Sequence, residues 1–319
     1  MISLSELANK LSCERKLALF CHVRPDGDAI GSMLALKLCL QSLGKEVEVF
    51  CDDTIPARFS FLPEIFSIKN QGFVASDYSA LVSVDSADLN RLGCFAEDFD
   101  KHKNTYAIDH HISNPRYAKT NYVVDSASNC ENVLDLVLEM GVEISKDMAN
   151  LLALGLVTDT GNFRHQNVTP ETFMSASLLK QRGADFNQII YHNFNKQTKE
   201  RAKLFGLVMS KIRYFCDNKI AVITITKEQI EQAGAQPSDT EGFIDFIMGI
   251  DTVEIGASIM EIGKNKYKIS LRGKTANVNN VASAFGGGGH VLASGCQIHG
   301  EYEEVVDKLR FEASKEIPE

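Results

Sequence analysis

Short apolar runs recur along the first half of the chain, and stretches with helical spacing separate them. Residues 17–21 (LALFC) form a run long enough for a buried strand, and a helical stretch follows from about residue 29 to 43. Strands are also predicted at 47–50, 80–84, 105–108 and 122–124, and helices at 131–140, 147–157 and between the cap Thr169 and Gly183. This alternation predicts an α/β fold with a doubly wound, mainly parallel sheet.

The pattern changes near residue 185. Two helical segments, 186–194 and 198–214, precede a new group with alternating strands at 219–226 and around the GKNK turn (263–266). The chain then runs through GGGG (286–289) to a last predicted helix at about 302–315. We predict a domain at 1–185, a helical connector at 186–215 and a second, smaller α/β domain at 216–319.

Composition narrows the functional classes. The 319-residue chain has 44 % hydrophobic residues and a net charge of −9 without a dense Lys/Arg run, so a long duplex nucleic acid is not an expected partner. Its eight cysteines form no CxxC pair, which is typical of a reducing compartment. No apolar span is long enough to cross a membrane. We expect a cytoplasmic protein without a membrane partner; nothing in the pattern decides whether it forms a homodimer.

Acidic and imidazole residues follow the predicted strands of the first domain. The ligands of an open α/β sheet bind beyond the carboxyl ends of its strands, so these residues are expected to meet in one crevice. Four segments supply them: HVRPDGD (22–28), Asp85, DHH (109–111) and TDTG (158–161). We expect Gly27 and Gly31 to let the backbone turn tightly between Asp26 and the helix.

This set of side chains favours two divalent cations. Carboxylates can bridge metals, and imidazole favours Mn, Fe, Co or Zn over Mg or Ca. Two such ions can activate a bridging water and clamp the oxygens of an in-line phosphoryl displacement. A lone Asp after a strand is usually a cap or a turn residue, and DTG is also typical of aspartic proteases. That protease fold, however, needs two such loops on an all-β frame, and here DTG follows a helical run.

Taken together, the motifs identify the chain as a member of the DHH phosphoesterase superfamily. The resemblance covers HVRPDGDAIGS (22–32), VDSAD (84–88), IDHH (108–111) and TDTGNF (158–163). It continues into SLRGK (270–274) and GGGGHVLASG (286–295), which are similar to the DHH-associated domain. The size and the two-domain layout resemble the nanoRNase/pAp-phosphatase group, which is RecJ-like in its core.

The resemblance implies a two-metal-dependent hydrolase acting on 3′-phosphoadenosine 5′-phosphate (pAp) and very short oligoribonucleotides. It implies Mn²⁺ as the preferred cofactor, with Mg²⁺ or Co²⁺ as alternatives, and attack by a metal-bound water. The implied metal ligands are His22, Asp26, Asp28, Asp85, His110 and Asp159, with Asp85 bridging. Asp109 would orient a histidine, and His111 would contact the scissile phosphate. The implied substrate-binding residues are Arg272, His290, Gly287, Gly288 and Gly289.

Other functions remain open at this point. A linear dinucleotide phosphodiesterase that acts in cyclic di-AMP turnover differs only in substrate preference. Inorganic pyrophosphatases share the core but have a different C-terminal domain, and the exonuclease RecJ is larger and more basic. A non-catalytic nucleotide-binding regulator should have lost metal ligands. The segment DSASNCEN (125–132) departs from the hydroxyl-rich pattern of many relatives, and Arg164 and His165 have no assigned role.

Overall fold

The protein was analysed as a computed structural model that describes residues 2–317. The chain divides into two compact units, one up to Lys196 and one from Gln197. The segment 186–215, predicted as a connector, is shared between them. The predicted domain ends at residues 1 and 319 lie outside the described range.

The first unit contains a six-stranded parallel sheet in the order β3-β2-β1-β4-β5-β6. Its strands are β1 Lys16–Phe20, β2 Glu46–Phe50, β3 Ile68–Lys69, β4 Ala80–Val84, β5 Thr105–Asp109 and β6 Thr120–Val123. Its α-helices are α1 Leu4–Cys13, α2 Gly27–Ser42, α3 Ala96–Lys101, α4 Asn129–Glu139, α5 Lys146–Asp159, α6 Pro170–Gln181 and α7 Phe186–Ile190, and a π-helical turn follows at Tyr191–Asn195. Its 3₁₀ turns are Ala57–Phe59, Pro63–Ser67, Ala75–Asp77 and Leu89–Phe95.

Both faces of this sheet are covered, as expected for a doubly wound fold. On β1, Leu17 and Leu19 belong to one buried cluster, whereas Ala18 and Phe20 belong to a second cluster. Successive side chains of a strand point to opposite faces, so the uninterrupted apolar run LALFC supplies both cores at once. The predicted fold class is confirmed.

The second unit contains a six-stranded mixed sheet in the order β11-β12-β10-β9-β8-β7, in which only the β8–β9 pair is parallel. Its strands are β7 Arg213–Phe215, β8 Ile220–Ile225, β9 Ile255–Gly263, β10 Lys266–Gly273, β11 Gly288–His290 and β12 Ala293–His299. Its α-helices are α8 Lys199–Met209, α9 Lys227–Ala233, α10 Phe243–Met248, α11 Val278–Ser283 and α12 Tyr302–Ser314, with a 3₁₀ turn at Pro237–Thr240.

One detail of the second unit corrects the sequence-based prediction, and a second adds to it. The helix predicted at 198–214 ends at Met209, because residues 213–215 pair with β8 as an edge strand. Part of the glycine run is itself a strand, since Gly288 pairs with Gly295 of β12. Among residues 2–317, no helix is both long enough and apolar enough for a membrane crossing.

Candidate metal centre

The predicted ligands of the first unit lie where the strand order reverses. β1 and β4 are neighbours although they are not consecutive strands, and β5 lies next to β4. His22 follows β1, Asp85 follows β4, and His110 follows β5. A doubly wound sheet has its binding crevice at this switch point, because the connections on either side lead away from each other.

His22, Asp26 and Asp85 form one group of metal-capable atoms. Nε2 of His22 lies 3.6 Å from Asp26 Oδ2 and 3.7 Å from Asp85 Oδ2. Nδ1 of His22 is 2.8 Å from the carbonyl oxygen of Val23, so it donates there and leaves Nε2 facing the carboxylates. Asp26 also caps α2, because its Oδ1 accepts hydrogen bonds from the amides of Asp28 and Ala29.

Asp28, His110 and Asp159 form a second such group. Nε2 of His110 is 3.8 Å from Asp28 Oδ2 and 3.6 Å from Asp159 Oδ2. Nδ1 of His110 lies 3.0 Å from the carbonyl oxygen of Ser126. His110 therefore has the same arrangement as His22, with a backbone carbonyl fixing the ring and Nε2 directed at carboxylates.

Asp85 lies between the two groups. Its Oδ2 faces His22, while its Oδ1 is 3.4 Å from Nε2 of His110. Asp85 has the left-handed backbone conformation (φ 53°), which a residue with a side chain rarely adopts. Its Oδ1 is buried without a hydrogen-bond partner. Strain of this kind persists where the surrounding structure imposes it, and often at functional sites.

The shifted pKa values of the clustered carboxylates and imidazoles indicate that this site favours positive charge. Burial, together with Asp85 and Asp159, raises the pKa of Asp28 well above its usual value. Burial opposes protonation of His22 and His110, but the facing carboxylates outweigh it and raise the pKa of each imidazole to about 10. Burial likewise raises the pKa of Asp159 to about 6. The same carboxylates that retain protons on these imidazoles would attract a cation.

The donor set fits divalent cations. The nitrogen–oxygen separations of 3.4–3.8 Å within the groups exceed a normal hydrogen bond. Buried carboxylates are stable only when they are paired or coordinate a metal. Asp85 Oδ1 is buried and has no hydrogen bond that could take the place of a metal. Mixed imidazole and carboxylate ligands suit Mn²⁺ or a similar borderline ion. The structure thus brings together all the ligands predicted from the sequence.

Asp109 and His111 form a hydrogen-bonded pair beside the two groups, and His111 also lies in a third group of metal-capable atoms with Asp85 and His110. Nδ1 of His111 lies 2.8 Å from Oδ1 of Asp109, whereas its distance to Asp85 Oδ1 is 3.7 Å. The side-chain amide of Asn114 donates to Oδ2 of Asp109 at 2.6 Å and to the carbonyl of Ser86 at 3.1 Å. Asp109 is therefore held from both sides and orients His111. Asn114 was not predicted from the sequence, because an isolated Asn five residues beyond Asp109 carries no motif signal.

The start of α4 holds Asp28. The backbone amides of Asn129 and Cys130 donate to the Asp28 carboxylate at 2.5 and 2.9 Å. The first amides of a helix have no partner within the helix, so they suit a carboxylate. The segment 125–132, which departs from the hydroxyl-rich pattern of many relatives, therefore contacts Asp28 through main-chain groups. Because any residue other than proline has an amide, no side-chain pattern could have revealed them.

Glycines bring α5 against α2 and α4 beside Asp28. A Cβ atom on Gly155 would lie 2.2 Å from Cys130 Sγ and 2.4 Å from Asp28 Oδ1. A Cβ on Gly31 would lie 2.3 Å from the carbonyl oxygen of Leu151. Gly31 lies inside α2 and is required for close helix packing, which corrects the expectation that it serves a tight turn.

Arg164 and His165 support the end of α5. Nε of Arg164 donates to the carbonyl oxygen of Gly161 at 2.8 Å, and Nδ1 of His165 lies 3.2 Å from that of Asp159. Both contacts are made to main-chain atoms, so these residues stabilise the turn that follows Asp159.

In the second unit, Arg272 and His290 lie on one face of the sheet. Both are register partners of Ala293, which belongs to the strand between them. Directly opposed residues project to the same side, so a small alanine separates two groups capable of binding an anion. Arg272 is half-buried, and its nearest carboxylate, Asp245, is 3.8 Å away.

The glycine run next to His290 packs closely against β12. A Cβ on Gly287 would lie 2.2 Å from the carbonyl oxygen of Gly295, and one on Gly289 would lie 2.6 Å from that of Ala293. The amide of Gly287 already donates to the carbonyl oxygen of Ala282. Gly287 thus allows close backbone approach, and its amide is not free for an anion.

Curated relatives match nearly the whole chain. A "bifunctional oligoribonuclease and PAP phosphatase NrnA" of Thermus thermophilus is 31 % identical over 95 % of this chain and 91 % of its own length. A protein of the same name from Mycoplasma pneumoniae is 28 % identical over 92 % of this chain and 90 % of its own.

Solved structures share the fold. An exopolyphosphatase-related protein from Bacteroides fragilis is 28 % identical with a TM-score of 0.82, covering 98 % of this chain and 95 % of its own. An exonuclease RecJ bound to manganese has a TM-score of 0.53 at 16 % identity, covering 100 % of this chain and 96 % of its own.

Family profiles agree with these matches. The DHH family, N-terminal domain, matches residues 16–156 and includes most of the metal-capable cluster. The DHHA1 domain matches residues 217–317 and includes Arg272 and His290. The chain therefore belongs to the DHH family of metal-dependent phosphoesterases, with a DHHA1 domain following the DHH domain.

Proposed function

We propose that this enzyme hydrolyses pAp and very short oligoribonucleotides with the help of two divalent cations. The observation that carries the proposal is Asp85, whose two carboxylate oxygens face two different imidazoles. The names of the curated relatives, which combine oligoribonuclease and PAP phosphatase, support the substrate class.

The residues of the cluster divide between the two ions. His22, Asp26 and Asp85 would hold one ion, and Asp28, Asp85, His110 and Asp159 would hold the other. When bound, such a pair activates a water molecule and neutralises charge on the phosphate. The two imidazoles favour Mn²⁺ over Mg²⁺, with Co²⁺ as a further candidate.

His111 is the group that would meet the phosphate. Its Nδ1 is engaged with Asp109, and among residues 2–317 its Nε2 has no hydrogen-bond partner. In the protonated ring, Nε2–H would donate to a phosphate oxygen as negative charge develops there. Asp109 would fix the orientation of the His111 ring, as Asn114 fixes Asp109.

Arg272 and His290 would bind a further phosphate of the substrate. A guanidinium can contact two phosphate oxygens at once, and an imidazole on the same face adds a third donor. Gly288 keeps that face free of a side chain next to His290, and Gly289, on the other face, allows β11 to approach β12 closely.

A substrate panel tests the proposal. Purified protein in Mn²⁺ or Mg²⁺ would be given pAp, a linear 5′-phosphorylated diadenylate and pyrophosphate. We expect phosphate from pAp and mononucleotide from the diadenylate, with higher rates in Mn²⁺. Hydrolysis of pyrophosphate alone, or of none of the three, would reject the proposal; strong preference for the diadenylate would indicate a linear dinucleotide phosphodiesterase.

A further inference from the structure

The face that carries Arg272 extends well beyond that residue. Side chains on the same face of a strand recur every second position, so Ser270 and Lys268 project to the same side of β10 as Arg272. The other face of β10 is buried, with Ile269 and Leu271 in the hydrophobic core. Four residues at about 3.4 Å each place the Cα atoms of Arg272 and Lys268 about 14 Å apart.

The neighbouring strands leave this face open beside Ser270, whose opposite residues are Gly295 on β12 and Ser258 on β9. Gly256 on β9, opposite Arg272, is instead covered by Met248 of α10. Gly295 and Ser258 form the floor of a shallow trough between Arg272 and Lys268. The reverse face of the sheet has no comparable trough among the described residues, because α11 and α12 cover it.

Two cavities lie along the trough, and both are lined by Lys268 and Ser270. One cavity of about 340 Å³ runs from Lys268 to Arg272 and has an apolar wall of Ile225, Ile244 and Met260. The other, of about 490 Å³, runs from Lys268 to the glycine run 286–287. An apolar wall beside cationic groups suits a nucleobase linked to phosphate.

The ammonium of Lys268 is available for a ligand. Its residue is exposed, and among residues 2–317 the ammonium has no carboxylate within ion-pair distance and no hydrogen-bond acceptor. Within the described range 2–317, Glu241 is the only acidic residue that lines the 340 Å³ cavity, and no acidic residue lines the other. A single nucleotide such as pAp is short, whereas an oligoribonucleotide repeats its phosphates along an extended path.

We propose that Lys268 binds an additional phosphate group of an oligoribonucleotide that has another of its phosphates held by Arg272, and so makes longer substrates bind better relative to pAp. The inference rests on the proposed function, and it assigns the discrimination between short and long substrates to this face of the second unit. Lys268 is a binding residue in this assignment and takes no part in bond cleavage.

Equilibrium binding tests the assignment independently of catalysis. The full chain, loaded with Mn²⁺, would be titrated against a fluorescent pentaadenylate with hydrolysis-resistant phosphorothioate linkages, and pAp would be titrated as a competitor. Lys268→Met keeps most of the aliphatic stem and removes the charge. The matched control is Lys308→Met, an exposed lysine on α12 that covers the opposite side of the sheet.

We expect Lys268→Met to weaken pentaadenylate binding about two- to fivefold relative to pAp binding, as for one exposed ion pair. The slope of log affinity against log salt concentration should fall by about 0.7 for the loss of one phosphate contact on a single strand. Lys308→Met should change neither quantity. An unchanged ratio and slope in Lys268→Met, or an equal loss in Lys308→Met, would overturn the assignment. Intact binding without hydrolysis of pAp or the unmodified pentaadenylate would instead reject the proposed function.

Discussion

Nδ1 of His111 lies 2.8 Å from Oδ1 of Asp109, and this contact determines which nitrogen of the imidazole is left for a substrate. Asp109 is buried, whereas His111 is partly exposed. We therefore expect the buried carboxylate to act through the histidine and not by contacting the substrate.

The first prediction concerns this pair. His111→Ala and Asp109→Asn should each lower kcat for pAp by about 10²-fold or more, because a donor to the developing charge is lost or misoriented. The double variant should be little worse than either single variant, since the two residues act as a unit. Steady-state kinetics would measure this, with exposed His299→Ala as the control. Fully additive losses in the double variant would contradict the orienting role of Asp109.

The second prediction concerns Asn114, which holds the other oxygen of Asp109. Asn114→Ala would leave that buried oxygen without its donor, so we expect a loss of about 1–3 kcal/mol in the free energy of unfolding. Activity should fall as well, because Asp109 is then less well fixed. Urea denaturation would measure the change, and Asn90→Ala, at an exposed position, should be neutral. Equal stability of both variants would show that Asn114 does not support Asp109.

The third prediction concerns the close packing around Asp28. Gly155→Ala would place a methyl group where Cys130 Sγ and Asp28 Oδ1 already lie, so we expect destabilisation of about 1–3 kcal/mol and weaker Mn²⁺ binding. Gly206 is the matched control, because it lies in α8 with no atom near the added Cβ. Gly206→Ala should stabilise the protein by about 0.5–1 kcal/mol through helix propensity. A tolerated Gly155→Ala with unchanged Mn²⁺ affinity would contradict the packing described here.

The fourth prediction concerns metal and stability. Mn²⁺ at about 100 times its dissociation constant should stabilise the folded protein by about 2.7 kcal/mol, because the ligands converge only in the folded state. Asp85→Asn should abolish most of that gain, whereas Glu139→Gln, at an exposed position on α4, should preserve it. Thermal unfolding with and without Mn²⁺ would measure both. The same Mn²⁺ gain in Asp85→Asn as in the wild type would show that Asp85 does not bind the ion.

The sequence predicted those features that depend on side-chain type. Strand β4 was predicted with its observed bounds, because ALVSV is an apolar run ended by Asp85. The metal-capable residues were found because each lies just after a strand or at one end of a helix, and the fold brings those ends together. The edge strand at 213–215 was missed, because a short amphipathic segment after a helix is consistent with one more helical turn.

Other features could not be predicted, because they depend on the backbone. The backbone amides of Asn129 and Cys130 hold Asp28, and contacts made by backbone amides cannot be predicted from residue type. Gly31 was expected at a turn, but its role depends on the main chain of α5, which lies far away in sequence. The left-handed conformation of Asp85 could not be predicted either, because an Asp does not indicate a positive φ as a glycine does.

The most direct measurement is phosphate release from pAp by protein stripped of metal, before and after Mn²⁺ is added back. We predict no release before addition and full activity after it for the wild type, with Asp85→Asn inactive in both conditions while remaining folded by circular dichroism. Phosphate release by the stripped protein that Mn²⁺ does not increase, or wild-type activity in Asp85→Asn, would contradict a reaction that depends on cations held by Asp85.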